Sequence, residues 1–504
     1  MVVTSKNTIG ESNKLEWEPV IGLEVHAQLL TKSKMFCTCP ANYQDSPPNS
    51  TVCPVCLAMP GVLPVINQQA VEFVIMTGLA LNCSIAENVE FDRKSYSYPD
   101  LMKGYQISQW ENPISFDGWL TVERDGVQQK IGVTRAHLEE DVAKLQHARD
   151  GAGEGYALMD VNRAGVPLME VVGEPDLRTA DEAREYMTKL RSILRYIGVS
   201  TADMDQGSFR CDANVSVRPK GSTEYGTKVE VKNMNSFRSV HDSIEYEIER
   251  QIKLLEGGGR VEQETRGWDE NREVTVSQRS KEYANDYRYL PEPDLPPVLI
   301  SREWVSDLKS HMPEMPVDRL ARFQSEYALS EYDASLLVSA KSTADFFEES
   351  VKSRVLEGDA IAKRAKSLAN LVNSELARLL NQSDIEVTDS KVTSGGLAEL
   401  VDLLDARTIS STLGKEVLEA MFNTGDAPAK IVEAKGLSQL TDSSAILPAV
   451  QEALAGNPQA VEDYLNGKET AVKFLVGQVM KISKGKADPA IVNTLLEEQL
   501  SAKK

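Results

Sequence analysis

Residues 19–30 read PVIGLEVHAQLL, and the apolar positions fall at every second residue. Ile21, Leu23, Val25, Ala27 and Leu29 alternate with Gly22, Glu24, His26 and Gln28. This predicts a strand with one core face and one wet face. Glu24 and His26 then stand side by side above the sheet, where a carboxylate and an imidazole can share a divalent cation or a proton. The alternation returns in FRCDANVSVRP, with Arg210, Asp212, Asn214, Ser216 and Arg218 on one face and Cys211, Ala213, Val215 and Val217 on the other. In TKVEVKNMNSF the polar set is Lys228, Glu230 and Lys232, followed by Asn233 and Asn235. Two such charged faces in succession predict the lining of a cleft for a charged ligand.

Helical signals punctuate these strands. Thr179-Ala-Asp-Glu182 reads as a capping box opening a helix that runs to Ile197, before Gly198. A second helix is expected over 239–255, ending at the triplet Gly257, Gly258, Gly259. Residues 286–297, DYRYLPEPDLPP, are extended and proline-rich and close the β-rich half. From residue 301 a 3.6-residue period replaces alternation. The predicted class is α+β: a solvated tail over 1–16, a β-rich domain over 17–300, a helical domain over 301–428 and a small helical tail over 429–504.

Composition narrows the function. Lys+Arg 55 against Asp+Glu 76 gives a net charge of −21 over 504 residues, which argues against non-specific coating of nucleic acid. A nucleic-acid partner then needs a local basic patch. KFLVGQVMKISKGKA supplies one, with Lys473, Lys481, Lys484 and Lys486 and no acid among them. No apolar run approaches a membrane span and the first residues lack an apolar signal core, so a cytoplasmic protein without a membrane partner is expected.

The candidate chemistry is local. Cys37-Thr-Cys39 and Cys53-Pro-Val-Cys56 are two close pairs with thirteen residues between them, a pattern suited to a tetrahedral structural zinc. Cys83 and Cys211 stand apart and read as packing residues. Residues 91–109, FDRKSYSYPDLMKGYQISQ, interleave Arg93, Lys94 and Lys103 with Tyr96, Tyr98 and Tyr105, as a phosphate, ribose or unstacked base would require. His137 precedes three consecutive acids, Glu139, Glu140 and Asp141, which repel one another unless a cation intervenes. Glu170 interrupts the apolar run 166–172 and needs a partner if buried. The glycine-rich segment 151–155 reads as a turn, with no strand predicted before it and no helix after it, and no GxxxxGK[ST] occurs.

Together GLEVH, FDRKSYSYPDLMKGYQISQ, VNRAGVPLMEVVGEPD, FRCDANVSVRP and KVEVKNMNSF closely resemble the B subunit of bacterial-type aspartyl/glutamyl-tRNA amidotransferases. The resemblance runs from about residue 15 to the C-terminus and includes FLVGQVMKISKGKADPAIVNTLL. It implies a catalytic cradle, a helical domain and a tail resembling the small YqeY proteins, the last two binding tRNA. It also implies a heterotrimer in which the amidase, the A subunit, frees ammonia from glutamine, beside a small C subunit. ATP then phosphorylates the side chain of glutamate or aspartate mischarged on tRNA, and ammonia displaces phosphate to give Gln-tRNA or Asn-tRNA. The family's Mg²⁺ and catalytic positions fall on Glu24, His26, Glu140 and Glu170; alternation leaves Glu139 and Glu140 open, and the resemblance picks Glu140. Histidine is an unusual magnesium ligand, so His26 is expected to bind the ion or to contact substrate. A second tier for ATP phosphates and the aminoacyl-adenosine end comprises Arg93, Lys94, Tyr96, Tyr98, Lys103, Tyr105, Gln106, Ser108, Arg210, Asp212, Asn214, Lys228, Glu230, Lys232 and Asn233. Cys37, Cys39, Cys53 and Cys56 match members that carry zinc, although other members lack these cysteines. The rival readings are a non-catalytic tRNA-binding scaffold and a free-standing metal hydrolase. The second fares poorly, since there is no HExxH and the five histidines are scattered.

Overall fold

The computed structural model describes residues 16–149, 155–280, 287–356, 358–437, 443–465, 468, 470–483 and 486–502. The expected tail up to residue 15, residues 151–154 of the glycine segment, the first residue of the 286–297 stretch and Lys484 lie outside these. The chain divides into two compact units after Met315.

The first unit is built on a nine-stranded sheet. Its strands are β1 (Trp17–Gln28), β2 (Ser84–Ile85), β3 (Ser115–Arg124), β4 (Val127–Glu140), β5 (Pro167–Gly173), β6 (Phe209–Pro219), β7 (Val229–Met234), β8 (Glu264–Asp269) and β9 (Val274–Ser280). They run in the order β9-β8-β7-β6-β1-β5-β4-β3-β2, antiparallel except where β7 meets β8. The stretch 19–30 therefore supplies the central strand. Its Ile21, Leu23, Val25 and Ala27 are buried with Met169, Val171, Cys211 and Ala213 beneath helices α1 (Gln68–Ala80), α2 (Ala180–Tyr196) and α3 (Phe237–Glu256). Burying each large apolar side chain contributes about 1.5–3 kcal/mol, which fixes the face each strand presents. The polar sets of β1, β5 and β6 are left on the opposite face.

The helices follow from their caps. Thr179 accepts from the Glu182 amide at 3.1 Å, and Gly198 takes φ +73° just past the end of α2. α3 starts at Phe237, earlier than the predicted 239, because Ser236 caps it by accepting from the Ser239 amide. A strand, Lys144–Arg149, does lead into the glycine segment, and a strand, Gly155–Asp160, follows it. Helix α4 (Arg302–His311) packs Trp304, Val305 and Leu308 onto the core of the first unit. Helical periodicity alone does not say which core an amphipathic stripe serves.

The second unit is helical, and its described residues form two apolar clusters. One gathers Phe323, Phe347, Leu368, Leu397 and Leu418 with Ile431, Val432 and Leu437. The other draws on residues 446–500, including Leu475, Val479 and Leu496. The class is α+β, as expected, and no described helix is long and apolar enough to cross a membrane.

Candidate active site

Pairing register assembles the site. β1 and β5 set His26 opposite Glu170, β5 and β4 set Glu170 opposite His137, and β1 and β6 set His26 opposite Arg210. One row across four strands thus reads Arg210, His26, Glu170, His137. A parallel row reads Asp212, Glu24, Val172, Arg135, and on the other side Glu139 lies opposite Leu168. These side chains line a cavity of about 830 Å³ together with Lys94, Tyr96, Gln106 and the β7 side.

The centre is a charge-dense cluster. His26 Nε2 lies 3.9 Å from Glu139 Oε2 and 3.7 Å from Glu170 Oε2, and His137 Nε2 lies 3.6 Å and 3.4 Å from the same two carboxylates. Ligand atoms of His26, Glu139 and Glu170 fall within 4.8 Å of one another. Ser108 Oγ donates to Glu139 at 2.7 Å, Gln106 Nε2 at 3.2 Å, and Lys94 Nζ stands 3.5 Å away. Burial pushes the Glu139 carboxyl up, but Lys94 and His137 outweigh it and hold it well below the usual range. For Glu170, burial and the Glu139 charge are overcome by the two imidazoles, so it too is lowered. Burial depresses His137, yet the two glutamates carry it up to about 9. Glu24 shifts the other way: burial and then Glu170 raise it, against the 2.8 Å hydrogen bond from Asn214.

Glu140 is a correction to the sequence reading. On β4 the residues Arg135, His137 and Glu139 share the cavity face, so Glu140 points to the reverse face. There it is spent locally, accepting from Lys103 Nζ at 2.7 Å and from the Ile107 amide at 2.9 Å. Lys103 and Tyr105 go with it, into a separate cavity of about 300 Å³. Arg93 is also engaged elsewhere, in a two-pronged pair with Glu292 at 2.8 Å, 4.4 Å over the Tyr105 ring. Tyr98 is exposed and not part of the lining. Asn233 takes φ +64°, which breaks the alternation of β7 and turns it into a different recess, beside Asn235 and Gly267.

The rest of the expected second tier converges. Lys94, Tyr96, Gln106, Arg210, Asp212, Asn214, Lys228, Glu230 and Lys232 line the main cavity, with Ser108 directly behind through Glu139. Lys232 pairs with Asp212 at 2.5 Å. Strand alternation leaves Glu139 open beside Glu140 and the resemblance picks Glu140, whereas the sequence reading gives no site role to His137, the second imidazole, or to Asp141, the anchor of Arg210. Asp141 accepts from Gln28 at 2.7 Å and from Arg210 at 3.1 Å. The available signal was His137-x-Glu139, the same two-residue spacing as Glu24-x-His26.

The four cysteines Cys37, Cys39, Cys53 and Cys56 also converge, their sulfurs mutually within 4.8 Å. Cys37 Sγ and Cys53 Sγ lie 3.5 Å and 3.7 Å from Cys56 Sγ, close to the ~3.8 Å edge of a tetrahedron with ~2.3 Å metal–sulfur bonds. The set could hold a metal such as zinc. Lys34, fully buried, points Nζ at Cys56 Sγ from 3.5 Å. In the second unit Lys473 and Lys481 are exposed on the helix Thr470–Ile482, and Lys486 follows it half-buried.

Residues 19–306 match the GatB/GatE catalytic domain, and residues 345–500 match the GatB domain that bears the YqeY name. The B subunit of the aspartyl/glutamyl-tRNA(Asn/Gln) amidotransferase of Dehalococcoides mccartyi (strain CBDB1) is 53% identical over 96% of this chain and 99% of its own length. Its counterpart in Carboxydothermus hydrogenoformans is 51% identical, over 96% of this chain and 99% of that protein. In Brevibacillus brevis the counterpart is 50% identical, over 97% and 99%.

Proposed function

This chain belongs to the family of aspartyl/glutamyl-tRNA(Asn/Gln) amidotransferase B subunits, and we propose that it activates the side-chain carboxylate of glutamate or aspartate carried on tRNA with ATP, for amidation by ammonia. The observation that carries this is the His26–Glu170–His137 row with Glu139, inside a cavity lined by Lys94, Arg210, Lys228 and Lys232. A carboxylate accepts ammonia poorly until one oxygen becomes a phosphate leaving group. Moving that phosphoryl group needs charge neutralised on its oxygens and its partners held in line.

The residues divide this work. Glu139, Glu170 and His26 would hold magnesium; two carboxylates suit it and the imidazole is the unusual member. An ion held by these residues would offset negative charge on the phosphate oxygens. Arg210, braced by Asp141, and Lys232, braced by Asp212, offset negative charge on the transferring group. Glu24, held by the Asn214 hydrogen bond in the same cavity, is placed to take a proton as ammonia adds. The products are Gln-tRNA(Gln) or Asn-tRNA(Asn). Ammonia is drawn from glutamine by an amidase, the A subunit, beside a small C subunit, in a cytoplasmic heterotrimer. The second unit, from residue 316 onward, binds the tRNA, and the cysteine set holds zinc structurally.

The test follows the γ-phosphate. In the assembled complex, Glu170→Ala and Glu139→Ala abolish ATP-dependent phosphorylation of glutamyl- or aspartyl-tRNA while assembly persists. Wild-type transfer in both variants would leave a tRNA-binding scaffold as the better account.

A further inference from the structure

One wall of the main cavity is aromatic, and nothing in the phosphoryl-transfer chemistry uses it. Trp110 and Tyr289 stack with ring centroids 4.7 Å apart and planes 14° from parallel. The Arg135 guanidinium sits 4.7 Å from the Trp110 ring centroid, and Tyr287 meets Tyr289 edge-on at 6.1 Å. All four residues line the cavity that holds the His26–Glu139–Glu170 cluster. Lys94 joins wall to cluster, standing 5.2 Å over the Tyr287 ring and 3.5 Å from Glu139.

The wall is held rigid yet left open. Buried Asp92 accepts from the amides of Trp110 at 2.7 Å and Glu111 at 3.2 Å, and Arg135 Nη1 donates to the Trp110 carbonyl at 2.8 Å. Despite these anchors Trp110 is 47% exposed. A pinned indole left facing water beside a charged site is poorly explained as core packing. The rest of the cavity presents ammonium, guanidinium, imidazole and carboxylate groups, which suit a polyanion and its metal. A ligand that carries phosphates and also a flat π-face fits both parts.

We propose that the Trp110–Tyr289 wall, with Arg135 over the indole, is a stacking platform for an adenine base. The proposal deepens the functional reading above and rests on it. Two adenines come with that reaction, the base of ATP and the terminal adenosine of the aminoacyl-tRNA, and both offer the same π-face. Stacking on an aromatic side chain contributes about 1–3 kcal/mol per base, roughly a 5- to 140-fold change in affinity.

The test uses the assembled complex with Trp110→Leu, which fills the site without a π-face, and Trp110→Phe, which keeps one. The leucine variant raises the KM of one adenine-bearing substrate by roughly 5- to 140-fold at nearly unchanged kcat, and phenylalanine restores most of it. A rise in the ATP KM assigns the platform to the nucleotide; a rise in the mischarged-tRNA KM assigns it to the terminal adenosine. If the wild-type complex needs ATP, and the leucine and phenylalanine variants share wild-type KM values for both substrates, the platform is overturned and the functional reading stands. If the wild-type complex forms the amide without consuming ATP, the functional reading fails, and the platform falls with it.

Discussion

Glu139 and Glu140 are neighbours in sequence and stand on opposite faces of β4, so exchanging each for glutamine separates their roles. Glu139→Gln removes a negative charge from a cluster of two imidazoles, Lys94 and Glu170, and phosphoryl transfer falls at least about 100-fold, the order typical of losing one charge-stabilising group. Glu140→Gln leaves that cluster intact. It weakens the half-buried pair with Lys103, costs about 1 kcal/mol in a melting experiment, and retains γ-phosphate transfer. Equal loss of transfer in both would mean that Glu140 reaches the reaction after all. Alternation along one strand defines two faces without saying which is inside. That choice is made by the register setting His137 opposite Glu170, thirty-three residues apart in sequence. Glu24 and His26 were legible as one polar face of an alternating strand, and Glu170 as a carboxylate inside an apolar run that needs a partner.

At the scale of elements, those whose signals are local came out as read. β6 covers Phe209–Pro219, the stretch its alternation outlines, and α2 begins after Thr179 and ends before Gly198. Deviations arise where backbone conformation overrides pattern: Asn233 at φ +64° leaves the face that a period of two assigns to it. The cysteine loop is the opposite case, a segment without strand or helix periodicity whose four cysteines converge and could hold a metal. Among the described residues its local core has Cys56, Ala143, Val161 and Ala164 as buried members, with Val52 and Met102 partly buried against them, a small apolar area to hold the loop by packing alone. Lys34 strengthens the reading, since a fully buried ammonium needs a negative partner and thiolates supply one. The purified protein is therefore expected to carry about one zinc per chain by elemental analysis, the stoichiometry of a four-cysteine site. Cys53→Ser loses that metal and opens the loop to proteolysis while the sheet unfolds at nearly the same temperature. Wild-type protein without zinc, prepared without chelator, would refute the metal assignment.

On the scale of the whole molecule, charge is distributed against function in one place. The chain carries −21, a field that opposes a polyanion, yet Lys473, Lys481 and Lys486 gather at and just after one helix. Truncation at residue 429 is a poor test of that patch. A proline at the first helical position starts a helix, and Pro428–Ala434 carries Ile431 and Val432 into the preceding core. Deleting 429–504 would thus damage the helical core as well as the patch. Substitution avoids this. Changing the three lysines to glutamine removes up to three phosphate contacts, each contributing roughly 0.7–0.9 to the slope of log K against log salt. The plot for tRNA binding by the assembled complex should flatten by about 2–3, with affinity converging on wild type at high salt. Phosphoryl transfer at saturating tRNA should be unchanged, because the cluster around Glu139 and Glu170 belongs to the other unit. An unchanged slope would show that these lysines only solvate a helix face, and would move the electrostatic contact with tRNA to the cations around the cavity.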